Sequence, residues 1–414
     1  MNYKILIDNK QIDLEIPLDK ITIIEPEKVP VFNQEKLVYE SLQNPIDSPD
    51  LKTFLQNKEN ILIIVNDGSR NTPTEIVLST LYEQIKNKNF KFIVALGTHR
   101  LPTKPEFDRI FGKFYHEFKD RIFCHDSQND EMTYLGKTSY GTPVKISSEV
   151  TKAEGVIIIS SVEPHYFAGF TGGRKSYLPG VSAYGSIEKN HSLALRDEAK
   201  ILKLDGNPVH EDMTEAAKMV TTETFCTLTV LDTNDKIFYA ASGNIHSTLK
   251  AASKRVIEIF APEVKEKADI VIAINQSPLN RNLYQSQKGL ENCKSILKEN
   301  GIFILVSSCN DGIGNKAFYE LMASCKSPDE VFNKVEDNYK LGYHKAAKFV
   351  SFMKKNKLWM VSELDSDELE NIFIKNFSTL QIALNKAIML KGKDAKLNIV
   401  KNAGITVPRI NGLK

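Results

Sequence analysis

GVIIISSVEPHYFAGFTGGRKSYLPG, residues Gly155–Gly180, holds the transition that decides the fold. Its opening GVIIIS is an unbroken run of β-branched and small residues, apolar on both faces, the pattern of a strand covered by helices on each side. The remainder of the stretch has no apolar periodicity and carries His165, Arg174, Lys175 and several glycines. A strand that ends in such a loop places these groups at the carboxyl edge of a sheet, where open α/β folds bind ligands. Gly169, Gly172 and Gly173 allow a backbone to come close to an anion, and Arg174 and Lys175 supply charge.

Runs of the same kind lie on either side. ENILIIVND (59–67), FKFIVALGTHR (90–100) and ADIVIAINQSP (268–278) are continuous apolar stretches ending in polar or glycine residues. The segments between them, such as PTEIVLSTLYEQIKN (73–87), have helical spacing, with Pro73 suited to a first turn. The order β-α-β-α predicts an α/β protein with a doubly wound, largely parallel sheet. A pause at FAPEVK (260–265) precedes a second series: ADIVIAINQ, SILKENGIFILVSSCNDGIG (295–314) and KLWMVSEL (357–364). We therefore expect two α/β domains with an interdomain cleft: residues 1–265, completed by 395–414, and residues 266–394. Hinges fall near 262–268 and 393–397. Residues 3–24 read as two short antiparallel strands joined by a turn at Asp8-Asn9.

At 414 residues the chain is too long for one ordinary core. Its 54 basic and 52 acidic residues nearly balance, which gives no bulk electrostatic case for nucleic acid or an anionic membrane. Five cysteines without CxxC spacing argue against a structural zinc site or a disulfide framework and suit reduced thiols in the cytoplasm. No leader pattern or run of ~20 apolar residues is present, so the reading is a soluble cytoplasmic protein.

Three further constellations carry chemistry. The loop Asp67-Gly68-Ser69-Arg70 opens a helix and could hold a phosphate on its backbone N–H groups, with Asp67 accepting from a sugar hydroxyl; a capped turn is the plain alternative. His99 and His165 stand at equivalent strand ends, and neutral imidazoles there could flank one small substrate as acid and base. Gln285 and Lys288, three apart, share a helix face and could bind a carboxylate, or simply form a solvated helix start. Lys175 reads by spacing as a phosphate clamp, a nucleophilic amine being the bolder role, and His191 reads as a surface residue or a metal ligand. The glycine loop lacks Walker A spacing.

Taken in order, DGSR, GTHR, EPHYFAGFTGGRKSYLPG, NH and YQSQK resemble the nickel-dependent lactate racemase family over nearly the whole chain. That resemblance implies an isomerase, a racemase or epimerase of a 2-hydroxy acid, carrying a covalently attached nickel-pincer nucleotide (pyridinium-3-thioamide-5-thiocarboxylic acid mononucleotide). It makes Lys175 the tether, His191 the nickel ligand, and His99 and His165 the catalytic pair. Asp67, Gly68, Ser69, Arg70, Gly172, Gly173 and Arg174 become cofactor-binding. Gln285, Lys288, Arg70 and Tyr343 become substrate-binding. It implies hydride transfer to the cofactor through a 2-keto acid, which suits the chemistry, because the Cα hydrogen of a 2-hydroxy acid is too weakly acidic for easy proton abstraction. The implied partners are a small 2-hydroxy acid and the cofactor-biosynthesis enzymes.

The chain departs from the family pattern at Asn71 and Thr171, where the family has Pro and Ser, and at Tyr343-His344-Lys345, where the lactate enzyme places Trp. A polar wall at the last position predicts a substrate larger or more polar than lactate. Two other readings compete: a phosphate- or nucleotide-binding hydrolase or transferase using Arg174 and Lys175 as a clamp, and a non-catalytic two-domain carboxylate-binding protein.

Overall fold

The structure, a computed structural model, describes residues 2–7 and 10–411. Two compact units divide the chain, one of residues 28–257 and the other of residues 1–27 with 258–414.

In the first unit a six-stranded sheet runs in the order Ile237–Gly243, Thr224–Leu231, Gly155–Ser161, Asn60–Asn66, Asn89–Ala95, Ile122–Cys124. Each neighbouring pair is parallel except the edge hairpin of Thr224–Leu231 with Ile237–Gly243. The three apolar runs expected to be strands are therefore adjacent, with Asn60–Asn66 in the middle. Strand order reverses at that central strand, because the chain steps first to Asn89–Ala95 on one side and then to Gly155–Ser161 on the other. That reversal makes a crevice at the carboxyl ends, the ligand position of doubly wound sheets. On one face, Ile61, Ile63 and Val65 pack with Phe92, Val94, Ile157 and Ile159 against Val77, Leu78, Leu81 and Ile85 of the helix Thr74–Ile85. Each of these buried side chains stabilises the fold by roughly 1.5–3 kcal/mol relative to exposure, so the strands are held firmly under their loops. Pro73 stands at the N-cap of that helix rather than within its first turn.

The second unit holds a six-stranded, wholly parallel sheet in the order Lys375–Phe377, Lys357–Val361, Leu297–Val306, Ala268–Ile274, Leu397–Val400, Ile21–Ile24. This corrects the expected domain limits. The strand Leu397–Val400 does not return to the first domain; it lies between Ala268–Ile274 and Ile21–Ile24 and closes the second sheet. The chain's start belongs to this unit as well, since Ile5, Leu14, Ile16 and Leu18 pack with Ile270, Ile272, Ile304 and Ile399. The physical reason is that local apolar patterning identifies a strand but carries no information about its partner. Crossings between the units consequently fall at 27/28 and 257/258 rather than near 262–268 and 393–397. Asn2–Ile7 pairs antiparallel with Lys10–Glu15 as expected, while the turn Asp8-Asn9 lies outside the described residues. Among the described residues no helix is long and apolar enough to cross a membrane.

Candidate active site

Loops after the three adjacent strands of the first unit carry most of the chemistry. The first, after Asn60–Asn66, places Asp67 almost wholly inside the protein. Ser69 Oγ donates to Asp67 Oδ1 at 2.7 Å, and His99 Nδ1 lies 2.8 Å from Asp67 Oδ2. Burial pushes the Asp67 carboxyl up, but the hydrogen bond and charge of His99, the Ser69 hydroxyl and the Arg70 charge outweigh it, leaving the group below the usual carboxylate range. An ionised Asp67 accepts a hydrogen bond from the Nδ1–H of His99, so the exposed imidazole presents its lone pair at Nε2. Asp67 was expected to accept from a sugar hydroxyl; both its oxygens instead serve Ser69 and His99, and it orients the imidazole. Arg70 Nη1 reaches Glu163 Oε2 at 3.3 Å, joining the first loop to the glycine loop across the crevice. Gly68 is held from outside, since Arg109 donates to its carbonyl and to Asn71 Oδ1.

The glycine loop folds back as a two-residue hairpin, Pro164–His165 against Gly169–Phe170, and then turns through Gly173–Ser176. His165 is buried, and the N–H of Ala168 donates to its Nδ1 at 3.3 Å, so the proton of a neutral ring sits on Nε2. Phe167 is the hub. Its ring centroid lies 4.5 Å from that of His165 and 5.1 Å from that of His191, and Lys175 Nζ stands 5.6 Å above it. Three groups expected to act together are thus gathered around one aromatic side chain, to which the sequence assigns no role.

The glycines are also required by the loop's own packing. Gly169 has φ +77, and a Cβ there would come within 2.0 Å of the Lys203 carbonyl oxygen; at Gly172 (φ +82) it would meet Val162 and the Ser161 carbonyl. At both positions the missing side chain lets the loop pack on its own protein. For Arg174 the structure corrects the expected role. Its side chain is fully buried, donating to the carbonyls of Ala168 at 2.8 Å, Gly172 at 3.1 Å and Thr171 at 3.3 Å. Burial pushes its guanidinium down to about 9, still charged at neutral pH. A phosphate clamp needs an accessible cation, so Arg174 staples the loop and leaves Lys175 as the loop's other basic side chain.

His191 sits near the end of the helix Tyr184–Ser192. Burial, with the nearby charges of Lys175 and His99 opposing a backbone hydrogen bond, pushes its imidazole down to about 3. A neutral imidazole is the form that ligates a metal. Among the described residues no three His, Cys, Asp or Glu side chains gather into a metal-holding group, so nickel at His191 would need its other ligands from the cofactor.

The second unit supplies the remaining candidates, which the structure places within their own unit. Gln285 and Lys288 share the helix Leu283–Cys293, capped by Asn282 onto the Gln285 N–H at 2.9 Å. Tyr343 begins the helix Tyr343–Met353. The polar wall expected beside it does not form from its neighbours. His344 is buried with Nδ1 at 2.9 Å from the Tyr339 hydroxyl, and Lys345 is buried over the Tyr284 ring, 3.8 Å from its centroid, donating to the Tyr284 carbonyl.

Comparison with known proteins agrees with this arrangement. Residues 7–202 match the lactate racemase N-terminal domain and residues 264–408 the lactate racemase C-terminal domain. A lactate racemase of Thermoanaerobacterium thermosaccharolyticum is 32% identical over 389 residues, 91% of this chain and 90% of the relative. One of Lactiplantibacillus plantarum is 29% identical over 381 residues, 89% of each chain. The solved lactate racemase apoprotein from T. thermosaccharolyticum superposes with a TM-score of 0.91 at 29% identity, covering 99% of this chain and 100% of that one. A Thermotoga maritima structure at 15% identity and TM-score 0.71 shares the fold, covering 91% of this chain and 98% of its own. The chain belongs to the lactate racemase family and is an isomerase.

Proposed function

We propose that the protein is a racemase or epimerase of a small 2-hydroxy acid in which His99 and His165 form the acid–base pair, Lys175 tethers a nickel-pincer nucleotide and His191 is its protein ligand. The observation that carries this reading is the opposite hydrogen bonding of the two imidazoles. His99 donates its Nδ1–H to Asp67 and offers a lone pair at Nε2, whereas His165 accepts at Nδ1 and presents an N–H at Nε2. His99 is set to take a hydroxyl proton at Nε2, and the Nε2–H of His165 is set to hold the substrate oxygen on the other side; inversion through a planar 2-keto acid then needs one ring to enter as imidazolium and return a proton while the other is the neutral base. Asp67 stabilises the imidazolium that forms on His99, as a buried carboxylate does for a general base. When bound, the cofactor supplies a hydride acceptor for Cα, chemistry no side chain provides. The residues fit it, since a neutral imidazole stands near an amine beside Phe167. Gln285, Lys288 and Tyr343 complete the proposal as substrate-orienting groups, with Arg70 at the mouth of the glycine loop and Gly68, Ser69, Gly172 and Gly173 shaping the cofactor's bed.

Lactate is the substrate named for both relatives. With His344 and Lys345 packed inside their own unit, the case for a larger or more polar substrate loses its support, and lactate heads the assay ahead of malate and sugar acids. The enzyme works in this reading as a cytoplasmic protein served by cofactor-biosynthesis enzymes. Protein coexpressed with those enzymes is expected to show a nucleotide mass on Lys175, bound nickel and racemisation. His99→Ala or His165→Ala should lower kcat by about 10²–10⁴-fold with the mass adduct intact, and Lys175→Ala should carry no adduct. Racemisation that survives both histidine substitutions, or that proceeds without an adduct, overturns the proposal.

A further inference from the structure

Behind the helix that ends at His191 lies a carboxylate that the acid–base mechanism does not use. Asp212, on the helix Pro208–Lys218, is completely buried and accepts hydrogen bonds from the hydroxyls of Thr138 and Thr142, the latter at 2.8 Å, and from Asn190 Nδ2 at 2.7 Å. All three donors are uncharged. Burying a carboxylate on neutral donors is costly compared with an apolar side chain of the same volume, so packing alone gives no reason for an acid there. What it gains is grip, because its two oxygens hold side-chain donors from two separate elements at once.

The grip falls on the neighbour of His191. Asn190 is itself completely buried, and its amide also donates to the Val209 carbonyl at 3.3 Å, so the helix Pro208–Lys218 holds that side chain at two points. Successive residues of a helix project about 100° apart. Fixing Asn190 therefore fixes the rotation of the helix Tyr184–Ser192 about its axis, and with it the direction in which His191 leaves toward Phe167 and Lys175.

We propose that Asp212 is a positioning residue for His191, acting through Asn190, so that the imidazole is aimed before any metal arrives. The inference rests on the reading of His191 as the nickel ligand. Support of this kind behind a ligating histidine typically changes metal affinity by about 10–100-fold.

The test uses Asp212→Asn and Asn190→Ala, with Glu215→Gln as control. Glu215 lies on the same helix as Asp212 and ties it, through Ser139, to the turn between strands Met132–Lys137 and Pro143–Ser147 that also carries Thr138 and Thr142, at 2.9 Å to the N–H and 2.7 Å to the hydroxyl, without touching Asn190. Two readouts are taken. In protein coexpressed with the cofactor pathway, nickel retained under chelator is compared at equal nucleotide adduct on Lys175. In protein made without that pathway, histidine side-chain NMR follows the His191 resonance against that of His99. Asp212→Asn and Asn190→Ala should each release nickel about 10–100-fold more readily and displace the His191 resonance alone, while the control does neither. If Asp212→Asn does not fold, Asn190→Ala, which leaves Asp212 both threonine donors, decides the matter. Unchanged retention and an unmoved His191 resonance in a folded variant, or equal losses in the control, overturn the proposal. Absence of nickel from the wild-type protein would count against the proposed function, and the NMR arm would still judge Asp212.

Discussion

Arg174 in the first unit and Lys345 in the second are buried basic side chains, each bonded to backbone carbonyls of its own unit, and both sit in motifs where the sequence suggests a ligand cation. Their chemistry separates them. Arg174 presents a planar fork that serves three carbonyls of one loop and stays charged, burial lowering it only to about 9. Lys345 donates to the Tyr284 carbonyl from a compact ammonium, and burial followed by the charge of Lys288 pushes its amine well below the ordinary value despite Glu291 nearby. A guanidinium can thus be a permanent structural cation inside a loop, whereas a buried amine tends to surrender its proton. A cation in a glycine-rich motif is a ligand group only if nothing in the loop needs it.

The sharpest way to break the comparison is to remove the fork. Arg174→Met leaves the carbonyls of Ala168, Thr171 and Gly172 without their donor beneath the hairpin that carries His165. Loss of about 3–5 kcal/mol of stability is expected, as for other buried charged networks that lose one partner, together with loss of the Lys175 adduct. Arg174→Lys should rescue little, because one ammonium cannot reach three carbonyls in a plane. Urea unfolding and intact mass check both; a near-wild-type midpoint for Arg174→Met would show that the loop holds itself.

Asp67→Asn asks whether the same loop edge contains groups kept for chemistry rather than for folding. It retains a partner for Ser69 while removing the charge that fixes the His99 tautomer. We expect kcat to fall about 10–100-fold with adduct and nickel unchanged. Stability should fall at pH 7 and should become less sensitive to acid. Because the folded-state value of Asp67 is lowered, its contribution is present above the unfolded carboxylate range and is lost as pH falls through the folded one, so the variant lacks that loss. Wild-type kcat in Asp67→Asn would return the residue to cofactor binding.

The sequence disclosed the strands under the site because apolar runs such as ILIIV and GVIIIS are covered on both faces, which is a local property. It also singled out His99, His165, Lys175 and His191 as candidates, since these residue types stand at strand ends and in the motifs of a known family, and the last three lie around Phe167. It could not disclose the closing of the second sheet by Leu397–Val400 and Ile21–Ile24, because strand partnership is a property of pairs far apart in the chain. Nor could it tell a staple from a clamp. Arg174 is named by its neighbours as an anion binder, and only the burial of its side chain and the direction of its donors reveal the carbonyls. Phe167 stood within the quoted motif, but an aromatic among glycines gives no sign that it will meet both a histidine of its own loop and one on a later helix. Asp212 gave no signal, and Asn190 was noticed only as the neighbour of His191, because the two lie 22 residues apart on separate helices.

Lys345→Met gives the smallest expected effect and the cleanest contrast with Arg174→Met. The methionine keeps the length and volume of the side chain over the Tyr284 ring and surrenders one hydrogen bond to a carbonyl. Replacing a buried polar group by an apolar one of similar size is often neutral, so stability at pH 7 should stay within about 1 kcal/mol of wild type. Its pH dependence is the finer measurement. Because the folded value of Lys345 is depressed, the unfolded chain binds the extra proton whenever pH lies between the folded value and ~10.4, and wild-type stability must rise with pH across that window. The variant has no amine to contribute. Wild type minus Lys345→Met should therefore climb by as much as about 1.4 kcal/mol per pH unit toward pH 10 in urea titrations. A flat difference would mean that Lys345 keeps its proton inside the protein, and the distinction drawn between the two buried cations would then have to rest on donor geometry alone.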